Sequence, residues 1–221
     1  MSVEQSNYIK LIAMITMLID HIGLVLFPDQ IILRIIGRIS LPLFAYQLGI
    51  GYIHTKNLKK YMLRLLLFGV GVQLLYSVGI YYLRVDRSPG DFNIFFTLAL
   101  GLAAVYSYDK GKYIYLLLTI MAPIMLSYIG INPDYGLYGI MLILIMYIEQ
   151  KNLIRMAVFI TAINLIYCFY SPEQSYIQAF SVMAILFLIK PLYLRFNMPN
   201  WAFYLFYPLH LAILYLISIA L

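Results

Sequence analysis

Near its N-terminus the chain carries an apolar run, residues 10–27 (KLIAMITMLIDHIGLVLF), that is long enough to cross a bilayer but contains the adjacent pair Asp20 and His21. An ionisable group in hydrocarbon costs about 2.5–3.5 kcal/mol on insertion scales, so the pair predicts a functional site. On a helix, Lys10 lies on the same face as His21, roughly 16 Å away along the axis. Asp20 points about 100° away from His21, so we expect it to pair with a residue of another helix.

The whole chain has the composition of a membrane protein. Of its 221 residues, 64% are hydrophobic and 11% are charged, whereas a soluble domain of this size has roughly 25% charged residues. No polar stretch is long enough to fold outside the bilayer, so we predict one all-α polytopic membrane domain over residues 1–221, with no cleaved signal peptide. The net charge of +6 is spread over short loops, which indicates membrane topology rather than binding to nucleic acid.

Apolar segments separated by turn-forming and charged residues predict a bundle of about nine transmembrane helices. The predicted spans are residues 8–27, 32–53, 58–83, 93–108, 112–130, 135–149, 152–170, 176–194 and 201–220. Eleven cations fall on the N-terminal side of the bundle and two on the opposite side, which predicts a cytoplasmic N-terminus and an extracytoplasmic C-terminus. The eleven are Lys10, Lys56, Lys59, Lys60, Arg64, Lys110, Lys112, Lys151, Arg155, Lys190 and Arg195, and the two are Arg84 and Arg87.

Two histidines lie within predicted spans, and each has two interpretations. A histidine kept from water tends to be neutral near pH 7, so His21 can serve as a general base, or it can be a structural residue bonded to a carbonyl group. His210 shares a helix face with Tyr207 and follows Pro208, which kinks the last helix. It is either a second catalytic or binding group or a hydrogen-bonding residue of helix packing.

Arg34 and Arg38 are four residues apart and face the same way on the second predicted helix. One of them is expected to hold Asp20, and the other to polarise an acyl oxygen or to bind an acidic acceptor. Alternatively, Arg34 extends to the outer headgroups and Arg38 only neutralises Asp20.

Further polar residues have both a functional and an ordinary explanation. A basic group at the predicted cytoplasmic end of the second helix either docks a polyanionic cofactor or is positive-inside charge; it comprises His54, Lys56, Lys59 and Lys60. Asn93 is predicted to contact substrate, although polar bonds between membrane helices are also common. No metal-ligand spacing or nucleotide-binding fingerprint is present in the sequence, so we predict no metal site.

Five segments, in order, resemble the TraX family, whose founding member acetylates the N-terminus of conjugative pilin. The segments are KLIAMITMLIDHIG, LRIIGRISLPLFAYQLGIGYIHTKNLKKY, NIFFTLALGL, DYGLYGIMLI and FYLFYPLHL. The first, second and last more loosely resemble acyltransferase family 3, whose members modify cell-surface glycans. That family places a basic residue eleven positions before a histidine, which corresponds to Lys10 and His21, and ends on a Tyr-Leu-x-His segment that Tyr207–His210 resembles. Here lysine stands in place of the usual arginine, and we count nine spans rather than ten.

Both resemblances imply acetyl-CoA as a cytoplasmic acyl donor and an acceptor modified on the outer face. We therefore expect a multi-pass acetyltransferase of a bacterial inner membrane, acting on a peptide or protein N-terminus, a glycan or a small amine. The residues expected at the site are catalytic His21, Asp20, Arg38 and His210; cofactor-binding Lys10, His54, Lys56, Lys59 and Lys60; and substrate-binding Arg34, Tyr207 and Asn93. The alternatives are a transporter or flippase with paired charges at mid-membrane, and a membrane chaperone or assembly partner.

Overall fold

The computed structural model describes residues 2–83, 90–170, 176–192 and 199–220. Helices make up nearly all of this, as predicted, so the all-α fold class is confirmed. Three cations of the topology count, Arg84, Arg87 and Arg195, lie outside the described residues. The helices are α1 (Val3–Val25), α2 (Ile31–Gly37), α3 (Ser40–His54), α4 (Leu58–Leu83), α5 (Ile94–Asp109), α6 (Tyr113–Tyr128), α7 (Gly136–Ile148), α8 (Leu153–Tyr170), a 3₁₀ turn (Ala179–Met183), α9 (Ala184–Ile189) and α10 (Asn200–Ala220).

The second predicted span, 32–53, matches an apolar helical stretch, Ile31–His54, but a turn at Arg38 and Ile39 divides this stretch into α2 and α3. Pro42 explains the break: it has no N–H to donate to the carbonyl of Arg38, and its ring clashes with that carbonyl in a regular helix. The break has a functional consequence, because it sets Arg38 at the junction between two helices.

Two helical stretches of the described chain are long and apolar enough to cross a membrane, Val3–Val25 and Ile31–His54. Shorter apolar helices follow them, including Ile94–Asp109, Tyr113–Tyr128 and Gly136–Ile148. Such helices are typical of a membrane protein, whereas the number of crossings and their orientation stay predictions.

The described residues form two compact units, residues 1–47 with 149–221 and residues 48–148. In the first unit α1 packs against α2 and α10, and α8 packs against the 3₁₀ turn and α9. In the second unit α5 is central and packs against α4, α6 and α7. The prediction of a single domain stays a prediction.

A short parallel pairing joins two connections of the second unit. Strand β1 (Asp91–Phe92) pairs with β2 (Asn132–Pro133), with Asp91 opposite Asn132. Thr97 on α5 donates a hydrogen bond to the carbonyl of Asp134. These bonds fix the start of α5 to the loop that precedes α7.

Candidate active site

The imidazoles of His21 on α1 and His210 on α10 are hydrogen-bonded to each other. His21 Nδ1 lies 2.7 Å from His210 Nε2, and the ring centroids are 4.8 Å apart. His210 is 5% exposed, and His21 is half-buried. The structure therefore brings together two predicted site residues that are 189 positions apart in the chain.

The hydrogen bonds indicate which nitrogen of each ring carries a proton. His210 Nδ1 lies 2.7 Å from the carbonyl oxygen of Phe206, and a carbonyl oxygen only accepts, so Nδ1 must be the protonated nitrogen. The Nε2 of a neutral His210 then accepts the hydrogen bond that His21 Nδ1–H donates. A neutral His21 consequently has its lone pair on Nε2, the nitrogen from which a general base acts.

Aromatic rings surround the two histidines. The Tyr207 ring meets both imidazoles edge-on, with its centroid 6.1 Å from that of His21 and 5.6 Å from that of His210. Phe206 stacks on His210 at 4.7 Å. Tyr207 is buried, so the rings of Tyr207 and Phe206 shield the two histidines from water. Its predicted contact with substrate stays a prediction.

Asp20, the residue that precedes His21 on α1, lies at the centre of an ion cluster. Its two carboxylate oxygens lie 2.7 Å from Arg34 Nη1 and 2.8 Å from Arg38 Nη2. Arg34 also donates to the backbone carbonyl of Asp20, at 3.0 Å. The predicted pairing of Asp20 with Arg38 is confirmed, and both arginines hold the carboxylate rather than one. Two guanidinium groups against one carboxylate leave a net positive charge.

A close approach of α1 and α2 makes the ion cluster possible. Gly37, the last residue of α2, faces the Asp20 side chain so closely that a Cβ at this position would overlap the carboxylate. Gly23 on α1 has a similar role, since its Cβ would lie 2.7 Å from the Cβ of Leu33. Small residues at these two positions let Arg34 and Arg38 reach Asp20.

The other end of α1 carries a second polar group. Lys10 is half-buried and lies roughly 16 Å from His21 along the axis. One turn earlier, the Ser6 hydroxyl donates to Gln47 Oε1 at 2.8 Å. Gln47 Nε2 is buried and has no hydrogen-bond partner among the described residues. A buried donor left without an acceptor costs about 1–3 kcal/mol, so Gln47 Nε2 is an unfavourable feature of the packing at this end of α1.

The remaining predicted site residues lie in the second unit. His54, Lys56, Lys59 and Lys60 are all exposed around the turn between α3 and α4, and His54 Nδ1 bonds the carbonyl of Ile50 at 2.9 Å. Their predicted role in binding the cofactor stays a prediction.

Asn93 is fully buried and is used within the fold. Its Nδ2 donates to the carbonyl of Gly69 at 2.7 Å and to Gln73 Oε1 at 3.1 Å, while its Oδ1 accepts from the N–H of Phe95 and caps α5. These bonds give Asn93 a structural role, and its contact with substrate stays a prediction.

Sequence reasoning missed two glutamines at this site. Arg38 Nη1 donates to Oε1 of Gln178, a residue that is 2% exposed, and Gln47 lies at the Lys10 end of α1. A carboxamide within an apolar helix was the available signal, because such a group needs a polar partner. Within the described residues, no three His, Cys, Asp or Glu side chains are grouped to hold a metal ion, and the absence of a metal stays a prediction.

Comparison with known proteins gives a consistent family assignment. A probable fimbrial assembly protein, FimC of serogroup H1 from Dichelobacter nodosus, is 31% identical over 233 residues, covering 93% of this chain and 92% of that protein. An uncharacterized protein of Rickettsia prowazekii (strain Madrid E) is 32% identical over 111 residues, covering 49% of this chain and 40% of that protein. No solved structure matches the chain at a significant level. The family model described as TraX protein matches residues 5–218, and the chain therefore belongs to the TraX family.

Proposed function

We propose that the protein is an integral-membrane acetyltransferase that moves an acetyl group from cytoplasmic acetyl-CoA to an amine or hydroxyl on the outer face of a bacterial inner membrane. The observation that carries this proposal is the hydrogen bond between His21 and His210, which puts the lone pair of a neutral His21 on Nε2, the nitrogen that acts as the base in the proposed reaction. The TraX family assignment supports the same chemistry.

In the proposed reaction His21 is the general base. As the acceptor nitrogen or oxygen attacks the thioester carbonyl, its proton moves to His21 Nε2, and a new C–N or C–O bond forms. The C–S bond then breaks, and the departing thiolate takes the proton from His21 to give CoA and the acetylated acceptor. His210 acts as a positioning residue, because it accepts the His21 Nδ1–H and holds the ring in one orientation.

The ion cluster next to His21 supports the charge that develops during this reaction. Asp20 directly precedes His21, so the net positive charge of Asp20, Arg34 and Arg38 lies one residue along α1 from the base. A positive group fixed in a water-poor site stabilises the anionic oxygen of a tetrahedral intermediate more strongly than it would in water. Asp20 holds the two guanidinium groups in place.

The polar group at the start of α1 is suited to the distal part of acetyl-CoA. Lys10 supplies a cation for a phosphate. The separation of roughly 16 Å between Lys10 and His21 is about the length of the pantetheine arm. A thioester can thus reach His21 while its phosphates stay at the cytoplasmic end of α1.

The proposed acceptor is a subunit of a surface fibre. The relative from Dichelobacter nodosus is named as a probable fimbrial assembly protein, and 92% of it aligns with this chain. An amine at the N-terminus of such a subunit, presented at the outer face, would meet the acetyl group at His21.

Purified protein tests the proposal directly. We expect protein in lipid nanodiscs, supplied with acetyl-CoA and an acceptor peptide with a free N-terminus, to release CoA and to acetylate the peptide. In His21→Ala the rate should fall by about 10²–10⁴-fold, the usual contribution of a general base. Release of CoA and the mass of the peptide are the two readouts.

Leu24→Ala is the matched control, because Leu24 lies on the same helix three positions after His21 and is 48% exposed. This variant should keep the wild-type rate. Transfer that persists in His21→Ala at the wild-type rate would refute the assignment of the base. Movement of a substrate across the membrane without any need for acetyl-CoA would indicate a transporter instead.

A further inference from the structure

A groove of about 400 Å³ lies between α5 and α6 in the second unit. Three residues of α5 and four of α6 face it, and Lys112 lies at its end. Its lining comprises Ala103, Tyr106, Ser107, Lys112, Tyr115, Leu118, Thr119 and Ala122. Alanines at two of these positions leave the space between the helices open.

The groove has the depth of one membrane leaflet. It runs along α6 from Lys112 to Ala122, which is ten residues or about 15 Å at 1.5 Å per residue. The hydrocarbon core of a bilayer is about 30 Å thick, so this length corresponds to one half of it. Tyr115 and Leu118 are 63% and 55% exposed, so the groove is open along its side and an extended chain can enter from the surrounding lipid.

The end of the groove at the connection between α5 and α6 is positively charged. Lys110 is paired with Asp109 at 2.9 Å, and this hydrogen bond raises the pKa of the Lys110 ammonium. Lys112 instead donates to the neutral Tyr106 hydroxyl at 3.4 Å, and its ammonium lies over the rings of Tyr106 and Tyr115. Within the described residues these partners of Lys112 are neutral and bring no negative charge to its ammonium group.

We propose that this groove binds one acyl chain of an anionic phospholipid, with the phosphate against Lys112 and the Tyr106 hydroxyl. A cation at the mouth and an apolar wall one leaflet deep match the two parts of such a lipid. Lys112 also lies on the side that carries most of the cations, which is the predicted cytoplasmic side, where a leaflet with anionic headgroups attracts basic residues. The proposal requires that the helices span a membrane, and it is independent of acetyl transfer.

The test measures lipid binding to purified protein by native mass spectrometry. We titrate the detergent-solubilised protein with phosphatidylglycerol or with phosphatidylcholine that carries the same acyl chains. The wild type should bind phosphatidylglycerol about 5-fold more tightly, which is the effect of about 1 kcal/mol for one lysine near an anionic surface. Lys112→Gln should reduce this ratio to about one, as expected from loss of that same lysine.

Two further variants distinguish lipid binding in the groove from attraction of lipid by general surface charge. Ala122→Leu fills the end of the groove opposite Lys112 and should weaken the binding of both lipids. Arg64→Gln is the matched control, because Arg64 is also an exposed cation in this unit, 5.7 Å from the Tyr61 ring, but does not line the groove. It should keep the preference of the wild type.

Three results would overturn the proposal. The first is a wild type that binds both lipids equally, and the second is Lys112→Gln protein that keeps the preference for phosphatidylglycerol. The third is displacement of the lipid by excess glycerol 3-phosphate, which has the phosphate but no acyl chains and would reveal a site for phosphate alone. Circular dichroism and gel filtration check that each variant is folded.

Discussion

At the scale of single residues, the bond between the two histidines decides how the site can handle a proton. His210 must accept a hydrogen bond from His21 Nδ1, so a side chain that can accept should preserve function. We expect His210→Leu to lower kcat by about 100-fold, at the lower end of what acid–base groups contribute. His210→Gln offers a carboxamide oxygen as an acceptor and should recover most of that loss.

Measuring kcat and KM separately shows whether His210 positions the His21 ring or only packs between helices. His210 lies far along the bundle from Lys10, so neither substitution should change the KM for acetyl-CoA in steady-state assays. Equal activity of the Leu and Gln variants would argue against the hydrogen bond, and a change in KM alone would argue for a role in binding the donor. Thermal unfolding of both variants shows whether packing is intact.

The ion cluster at Asp20 is weak evidence for a contribution to stability. Removing charges from water is expensive, and a buried ion pair often contributes no more stability than well-packed apolar residues. Here Asp20 is 9% exposed and holds two arginines at 2.7 and 2.8 Å. In the proposed reaction, the net positive charge of this cluster would stabilise the anionic oxygen that develops in the transition state.

At the scale of helices, the contact between α1 and α2 depends on Gly37. A methyl group at this position would overlap the Asp20 carboxylate, and the helices would have to separate. We expect Gly37→Ala to lower the free energy of unfolding by about 1–3 kcal/mol, the usual cost of overpacking. The midpoint of thermal unfolding in detergent is the measurement.

Gly71→Ala is the matched control for Gly37→Ala. Gly71 lies in the interior of α4, and a Cβ there would have no neighbour within 4 Å. Alanine is the better helix former, so this variant should be neutral or more stable by up to about 1 kcal/mol. An equal effect of the two substitutions would show that the approach of α1 to α2 is not tight.

The helices themselves could be predicted from the sequence, but few of the contacts between them could. Apolar runs and turn residues placed the segments, and charge balance correctly paired Asp20 with Arg38. The break between α2 and α3 was missed because hydropathy over a window does not register one proline, although Pro42 was a visible signal. The contact between His21 and His210 depends on packing between α1 and α10, which no spacing along the chain encodes.

At the scale of the whole molecule, the distribution of cations governs how the protein sits in a membrane. The predicted inner connections carry eleven cations against two on the other side. Positive connections usually stay on the cytoplasmic side during insertion, so the charge distribution predicts the side from which the proposed acetyl donor would enter. The prediction is therefore that Lys10 faces the cytoplasm and that His21 lies toward the outer face.

Cysteine labelling tests this orientation in intact cells. The native Cys168 is first replaced by serine, and single cysteines are introduced at Asp29, Ile129, Lys110 or Lys151. A membrane-impermeant maleimide should label positions 29 and 129 in intact spheroplasts, since both residues are exposed and lie on the predicted outer side. Positions 110 and 151 should react only after the membrane is permeabilised. Labelling of position 151 in intact spheroplasts would show that the predicted orientation is reversed. Acetyl-CoA from the cytoplasm could then not enter from the Lys10 end.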